Sequence, residues 1–308
     1  MELDRVAIHE SVSIVFDPEN LQAELSELPV TVETVQDGEL FDRTDAVVAF
    51  GPGENFLDAG WVHCIRAGYD EFDIDTYERD GVILTNSTGI HGTSVGETVT
   101  GYLLAFARRL HRYRDRQARR TWEREPKDVP FTLAGETICV VGLGTLGQGI
   151  AARANGLKMN VVGVRRSGAE TPGVEAVFTP DQLESAVEDA RFVAIATPLT
   201  DETEGMIDGS VFEAMREDAY LINVARGPVV DESALIAAIE REAIAGAGLD
   251  VFETEPLAET SPLWDFENVI ITPHVAAMTN TYHEDIAAVV RENVDRLERG
   301  EPWYNRVV

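Results

Sequence analysis

The chain has 308 residues, room for two domains with cores of their own at a usual size of roughly 100–200 residues each. Its 55 acidic side chains face 25 basic ones, and the resulting net charge of −30 argues against nucleic acid or an anionic membrane as the main partner. Hydrophobic content of 44% with regular aliphatic periodicity excludes a disordered acidic chain.

Of the basic residues only Lys127 and Lys158 are lysines, and the rest are arginines. A folded protein with a solvated carboxylate surface fits this composition. Such surfaces belong to high-salt cytoplasm, where screening removes the self-repulsion. Cys64 and Cys139 are far apart in apolar runs, which suits buried thiols in a reducing compartment. No segment has the apolar length of a signal peptide core or a membrane span, so a cytoplasmic location is expected.

In the first part of the chain, short Val- and Ile-rich runs at 13–16, 31–35, 46–50, 64–67 and 82–85 read as strands. Between the first two, Asp17-Pro18 starts a helix through Leu21, Leu25 and Leu28 at helical spacing. Strands alternating with helices imply a parallel sheet, whose ligands bind beyond the carboxyl ends of the strands. Two loops qualify, Phe50-Gly51-Pro52-Gly53 and Arg66-Ala67-Gly68-Tyr69-Asp70. The small residues Ala67 and Gly68 would leave backbone N–H groups open to a carboxylate, although ordinary turns explain both loops equally well.

A long helix follows from about 95 to about 117, with Val99, Leu103, Leu104, Ala107 and Leu110 on its apolar side. The helix and its exit carry Arg108, Arg109, Arg112, Arg114, Arg116, Arg119 and Arg120. In so acidic a chain, ion pairing to carboxylates, on a second subunit included, explains this run better than nucleic acid does.

Residues 137–147 then read as a buried strand, a tight glycine turn and the start of a helix. Gly142, Gly144 and Gly147 have the G-x-G-x-x-G spacing that a dinucleotide pyrophosphate requires. Thr145 and Leu146 lie in the first turn of that helix, where free N–H groups face an anion. The next strand, 160–164, ends in Arg165-Arg166-Ser167, where NAD-binding folds place an acidic residue to hold the ribose hydroxyls. Two guanidiniums and a hydroxyl suit a 2′-phosphate, so NADP(H) is favoured and NAD(H) is also admitted.

Further strands at 192–196, 220–224, 248–251 and 269–271 each end in a compact polar loop. These loops hold Thr197-Pro198, Ala225-Arg226-Gly227, Asp250 through Pro256, and Thr272-Pro273-His274. A closing helix runs from about 282 to 299. Arg226, Glu255 and His274 are the side chains here that could do chemistry. Reducing a 2-oxo acid requires holding its carboxylate, protonating its carbonyl oxygen and delivering a hydride to carbon. The planar fork of Arg226 can grip a carboxylate and polarise the carbonyl. His274 can supply the proton, and Glu255 beside it would orient the ring and favour its charged form. Each residue also has an ordinary structural reading, as a turn cap or an ion pair. No histidine spacing suggests a metal site, and no nucleophile motif is present.

Four stretches together carry a resemblance. They are Gly142-Leu-Gly-Thr-Leu-Gly147, Asn223-Val-Ala-Arg226-Gly-Pro-Val-Val-Asp231-Glu, Leu249-Asp250-Val-Phe-Glu-Thr-Glu255-Pro256 and Thr272-Pro-His274-Val-Ala. Over nearly its whole length the chain resembles the D-isomer-specific 2-hydroxyacid dehydrogenases. The resemblance implies an α/β protein of two doubly wound parallel-sheet domains. A Rossmann cofactor domain (91–278) would be inserted in a flavodoxin-like substrate domain (1–90 plus 279–308). It implies reduction of small 2-oxo acids to D-2-hydroxy acids, with Arg226, Glu255 and His274 as the catalytic set. It further implies Asp250 on the nicotinamide carboxamide, Ala67 and Gly68 on the substrate carboxylate, and a homodimer built near the arginine-rich helix. Arg165 stands where NAD-using members carry an acidic residue, and Met278 where a glycine is common. Two other functions share the fold: a dinucleotide-sensing corepressor, and a dehydrogenase of phosphorylated or inorganic substrates. The latter would need further cations in the first domain, where Arg66 is the only obvious one.

Overall fold

The computed structural model describes residues 1–308, which divide into two compact units. Met1–Ile90 with Met278–Val308 form one, and His91–Ala277 the other.

The first unit contains strands β1 (Arg5–His9), β2 (Thr31–Val35), β3 (Asp45–Ala49), β4 (Trp61–Cys64) and β5 (Ile83–Asn86), with helices α1 (Pro18–Leu25) and α2 (Ile74–Asp80). The strands form one parallel sheet in the order β2-β1-β3-β4-β5, the flavodoxin-like order. The Asp17 carboxylate accepts from the Glu19 N–H at 3.0 Å and Pro18 takes the first helical position, so α1 begins where its sequence predicts. The carboxy-terminal helix, Tyr282–Arg299, packs against α1, and the tail returns to the free edge of β5. There Val307 donates to the Leu84 carbonyl at 2.8 Å and Asn86 to that of Asn305 at 3.1 Å, which covers an otherwise exposed strand edge.

Two expectations fail in this unit. Residues 13–16 are not a strand: a 3-10 turn spans Glu10–Ile14, and the first strand is Arg5–His9. The Ser11 N–H donates to the His9 ring at 3.2 Å and folds the chain back before any extended run can form. The fourth strand ends at Cys64 rather than beginning there, which leaves Ala67 and Gly68 in the loop beyond its carboxyl end.

Beneath that loop lies a buried polar network. Trp61 Nε1 donates to Thr85 Oγ1 at 2.7 Å, and the His63 ring spans Thr85 Oγ1 (2.9 Å) and Ser87 Oγ (3.0 Å). The Ser87 hydroxyl donates to the Cys64 carbonyl, so it must accept from His63 Nε2–H. Nδ1 is then the acceptor, and Thr85 donates to it. Burial drives the His63 pKa down to about 3, so the ring stays neutral.

The second unit opens with α3 (Gly92–Ala107) and α4 (Leu110–Ala118). The single helix expected here is broken because Arg109 adopts φ +58°, and its Nη1 reaches the Tyr220 hydroxyl at 3.2 Å. Three arginines of α4 and its exit meet carboxylates: Arg112 and Arg119 pair with Glu267, and Arg116 lies 2.8 Å from Glu125. Then come β6 (Thr137–Val141), α5 (Thr145–Gly156), β7 (Asn160–Val164), β8 (Ala176–Phe178), α6 (Leu183–Val187) and β9 (Phe192–Ile195). The unit ends with α7 (Gly209–Ala214), β10 (Tyr220–Asn223), α8 (Glu232–Glu240), β11 (Gly246–Leu249) and β12 (Val269–Ile271), and the carboxy-terminal helix is α9.

All seven strands are parallel, in the order β12-β11-β10-β9-β6-β7-β8. Strand β6 shows why they read as continuous apolar runs. Cys139 and Val141 enter one core with Val193, Ile195 and Leu221. Ile138 and Val140, on the opposite face, enter another with Phe192, Tyr220 and Ile222. Both faces are covered, so the period-two alternation places apolar groups everywhere. The strand order reverses between β6 and β9, and a crevice opens at the carboxyl ends there. No helix of the protein is long and apolar enough to cross a membrane.

Candidate active site

Because the sheet of the second unit is parallel, the loops after β6, β7, β9, β10, β11 and β12 leave it on one rim. That rim collects Gly142, Arg165, Thr197, Arg226, Asp250 and His274.

The glycine turn fits a dinucleotide. Gly142 has φ +98°, and a Cβ there would lie 2.6 Å from the Thr197 nitrogen. A Cβ on Gly147 would lie 1.8 Å from the Gly142 carbonyl oxygen, so only glycine lets α5 meet the turn this closely. At Gly144 a Cβ would meet nothing, and the backbone is open to a ligand. No side chain caps α5, and its intrahelical bonding begins with Gln148 N–H to Gly144 C=O at 2.9 Å. The N–H groups of Thr145, Leu146 and Gly147 are therefore free for an anion. These residues would hold a pyrophosphate by backbone alone.

Gly142 N–H donates to the Val164 carbonyl at 2.9 Å, tying the turn to the strand that ends in Arg165-Arg166-Ser167. Arg165 Nη1 donates to Thr171 Oγ1 at 3.2 Å, while the side chain of Arg166 is 85% exposed with Glu202 3.9 Å away. Ser167 Oγ accepts the Ala169 N–H. On the other side of the turn, Pro198 C=O accepts from the Thr203 hydroxyl at 2.7 Å, which folds the loop carrying Thr197 and Pro198.

Arg226 follows β10. Buried Asn223 accepts the Ala225 N–H at 3.1 Å and donates to the Arg226 carbonyl at 3.0 Å, fixing the turn. Arg226 Nη1 also donates to the Ala225 carbonyl at 2.8 Å. A Cβ on Gly227 would lie 1.9 Å from the Phe252 carbonyl, so glycine permits this loop to meet the segment that carries Glu255. Neither Asn223 nor Gly227 stood out as functional in the sequence, although both lie in the motif around Arg226.

Glu255 Oε1 accepts the Phe252 N–H at 3.1 Å, and Oε2 lies 2.8 Å from His274 Nδ1. Burial pushes the Glu255 carboxyl up, but the His274 hydrogen bond and charge, the Phe252 N–H and the Arg226 charge outweigh it. The net result is a carboxyl held below its ordinary range. The structure thus gathers the three expected residues into one electrostatic group. His274 itself has φ +54°, an uncommon conformation for a residue other than glycine. Its N–H donates to the Asp250 carbonyl at 2.8 Å.

The Asp250 side chain points inward and is 1% exposed. Oδ1 accepts from the Thr272 hydroxyl and from Val275 N–H at 2.9 Å, and Oδ2 accepts from Ala276 N–H at 2.9 Å. Asp250 thereby holds the His274 loop. In the first unit, neither Ala67 nor Gly68 donates its N–H within the protein.

Residues 100–276 match the family model described as "D-isomer specific 2-hydroxyacid dehydrogenase, NAD binding domain". A glyoxylate reductase of Korarchaeum cryptofilum is 36% identical over 242 residues, which cover 76% of this chain and 71% of that protein. The chain belongs to this family. Its second unit carries the family's NAD-binding domain, and the protein is an oxidoreductase that uses a nicotinamide dinucleotide. Its fold of two parallel α/β sheets recurs in a solved family member from Aeromonas salmonicida, with a TM-score of 0.85 and 30% identity. That alignment covers 100% of this chain and 99% of the other. A member from Xanthobacter autotrophicus Py2, solved in complex with NADPH and MES, has a TM-score of 0.83 and 30% identity over 99% and 98% of the two chains.

Proposed function

We propose that this protein reduces small 2-oxo acids to D-2-hydroxy acids, with NADPH preferred over NADH. The contact between His274 Nδ1 and Glu255 Oε2 at 2.8 Å carries this reading. A carboxylate can only accept, so Nδ1 is the donor and the ring's two protonation states differ at Nε2. Nε2 is thus the atom that hands a proton to the substrate carbonyl oxygen, while Glu255 fixes the ring's orientation and favours its charged form. Arg226, whose field already reaches Glu255, grips the substrate carboxylate and polarises the carbonyl. The bound nicotinamide supplies the hydride.

The second unit serves as the dinucleotide-binding domain and the first as the substrate domain, where the unspent N–H groups of Ala67 and Gly68 receive the carboxylate. The NADPH preference rests on Arg165, Arg166 and Ser167 at the end of β7, with Thr197 and Pro198 bordering the crevice. It also rests on the absence of a carboxylate from residues 165–167. In the first domain Arg66 is held by both oxygens of Glu71, at 3.0 and 2.9 Å, which favours a substrate without a phosphate.

The same proposal extends to the surface. The exposed Leu110 and Trp122, on and beside α4, support a homodimer built there. The net charge of −30 supports a protein made for high salt inside the cell. The test is a panel of glyoxylate, hydroxypyruvate and larger 2-oxo acids with NADPH and NADH, the product's chirality assigned. D-products formed faster with NADPH are expected. Tight cofactor binding with no turnover of any acid would favour the sensor instead.

A further inference from the structure

His274 is held in a left-handed backbone conformation that persists only where its surroundings over-determine it. Those surroundings converge on one buried carboxylate. Asp250 receives the N–H groups of Val275 and Ala276 and the hydroxyl of Thr272, and its own carbonyl receives the N–H of His274. Thr272 has a single hydroxyl hydrogen, and the carboxylate can only accept it. The second contact of Thr272 Oγ1, with the Tyr102 hydroxyl, must then be one in which Tyr102 donates.

The hydrogen bonds therefore run in one direction, from Tyr102 through Thr272 to Asp250. Tyr102 lies on α3, 170 positions before Thr272, and is 4% exposed. Its ring packs on β11, where a Cβ on Gly248 would be 3.0 Å from Tyr102 Cγ. Burial pushes the Tyr102 pKa up to about 12, with the Thr272 bond opposing and the Asp250 charge reinforcing, so the phenol keeps its proton.

We propose that Tyr102 is a positioning residue for His274, locking the Thr272 hydroxyl onto Asp250 so that the 272–276 loop presents the imidazole in one place. This rests on the proposed role of His274 as proton donor. Tyr102 does not touch the reacting atoms and acts through two side chains in series. Without its hydroxyl, Thr272 is free to rotate away from Asp250, and the loop loses one of the bonds that hold its strained residue.

The experiment compares Tyr102→Phe, Thr272→Val and the double variant with wild type, using glyoxylate and NADPH. Thr272→Ser, which keeps the hydroxyl, serves as the rescue control, and His274→Gln tests the underlying role. Tyr102→Phe keeps the packed ring and should lower kcat about fivefold, the scale of one neutral hydrogen bond, with both KM values unchanged. Amide hydrogen exchange at Val275 and Ala276 should quicken in the same variant. Because the hydroxyls act in series, the double variant should be no slower than Thr272→Val, while Thr272→Ser stays near wild type. Unchanged kcat in Tyr102→Phe, or independent multiplying losses in the double variant, would overturn the positioning role. If His274→Gln were inactive in either case, the proton-donor role would still stand. A His274→Gln enzyme as fast as wild type would overturn both.

Discussion

Two histidines, one in each unit, have opposite surroundings. His63 lies inside the first sheet with both ring nitrogens engaged by hydroxyls, and burial drives its pKa down to about 3. His274 stands on the rim of the second sheet, half-exposed, with Nδ1 on a carboxylate and its backbone in a left-handed conformation. The first ring is neutral and fully satisfied, and its worth is to a unique packing of β4 against β5. The second is built to exchange a proton, with a partner for the charged form and an open Nε2. Residue type did not decide this difference. The neighbours did, a serine and a threonine in one case and a glutamate in the other.

Substitutions should separate the two. His274→Gln removes the proton donor and should cost about 10²–10⁴ in kcat while leaving NADPH affinity intact, as measured by steady-state rates and cofactor fluorescence titration. Arg226→Gln should cost roughly 10²–10³ in kcat/KM, and Arg226→Lys should recover only part of it because an ammonium cannot reproduce the fork. At the phosphate end of the same rim, Arg165→Gln with Arg166→Gln should weaken NADPH about 10–100-fold and leave NADH nearly unaffected in parallel titrations.

His63→Leu should behave in the opposite way. It leaves the Thr85 hydroxyl without its acceptor and should cost about 1–3 kcal/mol in urea unfolding. It should also flatten the acid limb of stability. A buried histidine kept neutral takes up its proton only in the unfolded chain, so stability falls as pH drops from the ordinary histidine range towards about 3. Replacing His63 removes that proton uptake. A pH slope unchanged in the variant would contradict the assignment.

The second unit was the more legible of the two in the sequence. Strands buried on both faces, such as β6, announce themselves as apolar runs, and the loops after β7, β10, β11 and β12 show their charged or ionisable residues. Arg226, Glu255 and His274 could be named because their chemistry is complementary and their strand-end positions imply one rim. The misreadings have two physical causes, contacts between residues distant in sequence and one local side-chain bond. Arg109 breaks a helix with no glycine or proline to mark it, because its side chain reaches Tyr220, 111 positions away. In the first unit, Ser13–Phe16 looks extended, yet a bond from Ser11 to the His9 ring turns the chain before it. Thr272 and Tyr102 carry no local signature for the line of bonds that reaches Asp250. Asp250 was expected on the nicotinamide carboxamide, and the role of its carboxylate in holding the loop that carries His274 had no local signature either.

The pairing of Glu255 with His274 is tested most directly by steady-state 2-oxo acid reduction in wild type and Glu255→Gln. Glu255 is held ionised below the ordinary carboxyl range, so its negative charge is present throughout neutral pH. That carboxylate, 2.8 Å from His274 Nδ1, orients the ring that carries the proton on Nε2. A glutamine there keeps the shape and removes the charge, and kcat should fall roughly 10–100-fold with NADPH affinity unchanged. An unchanged kcat would contradict the pairing of Glu255 with His274 as the source of the proton.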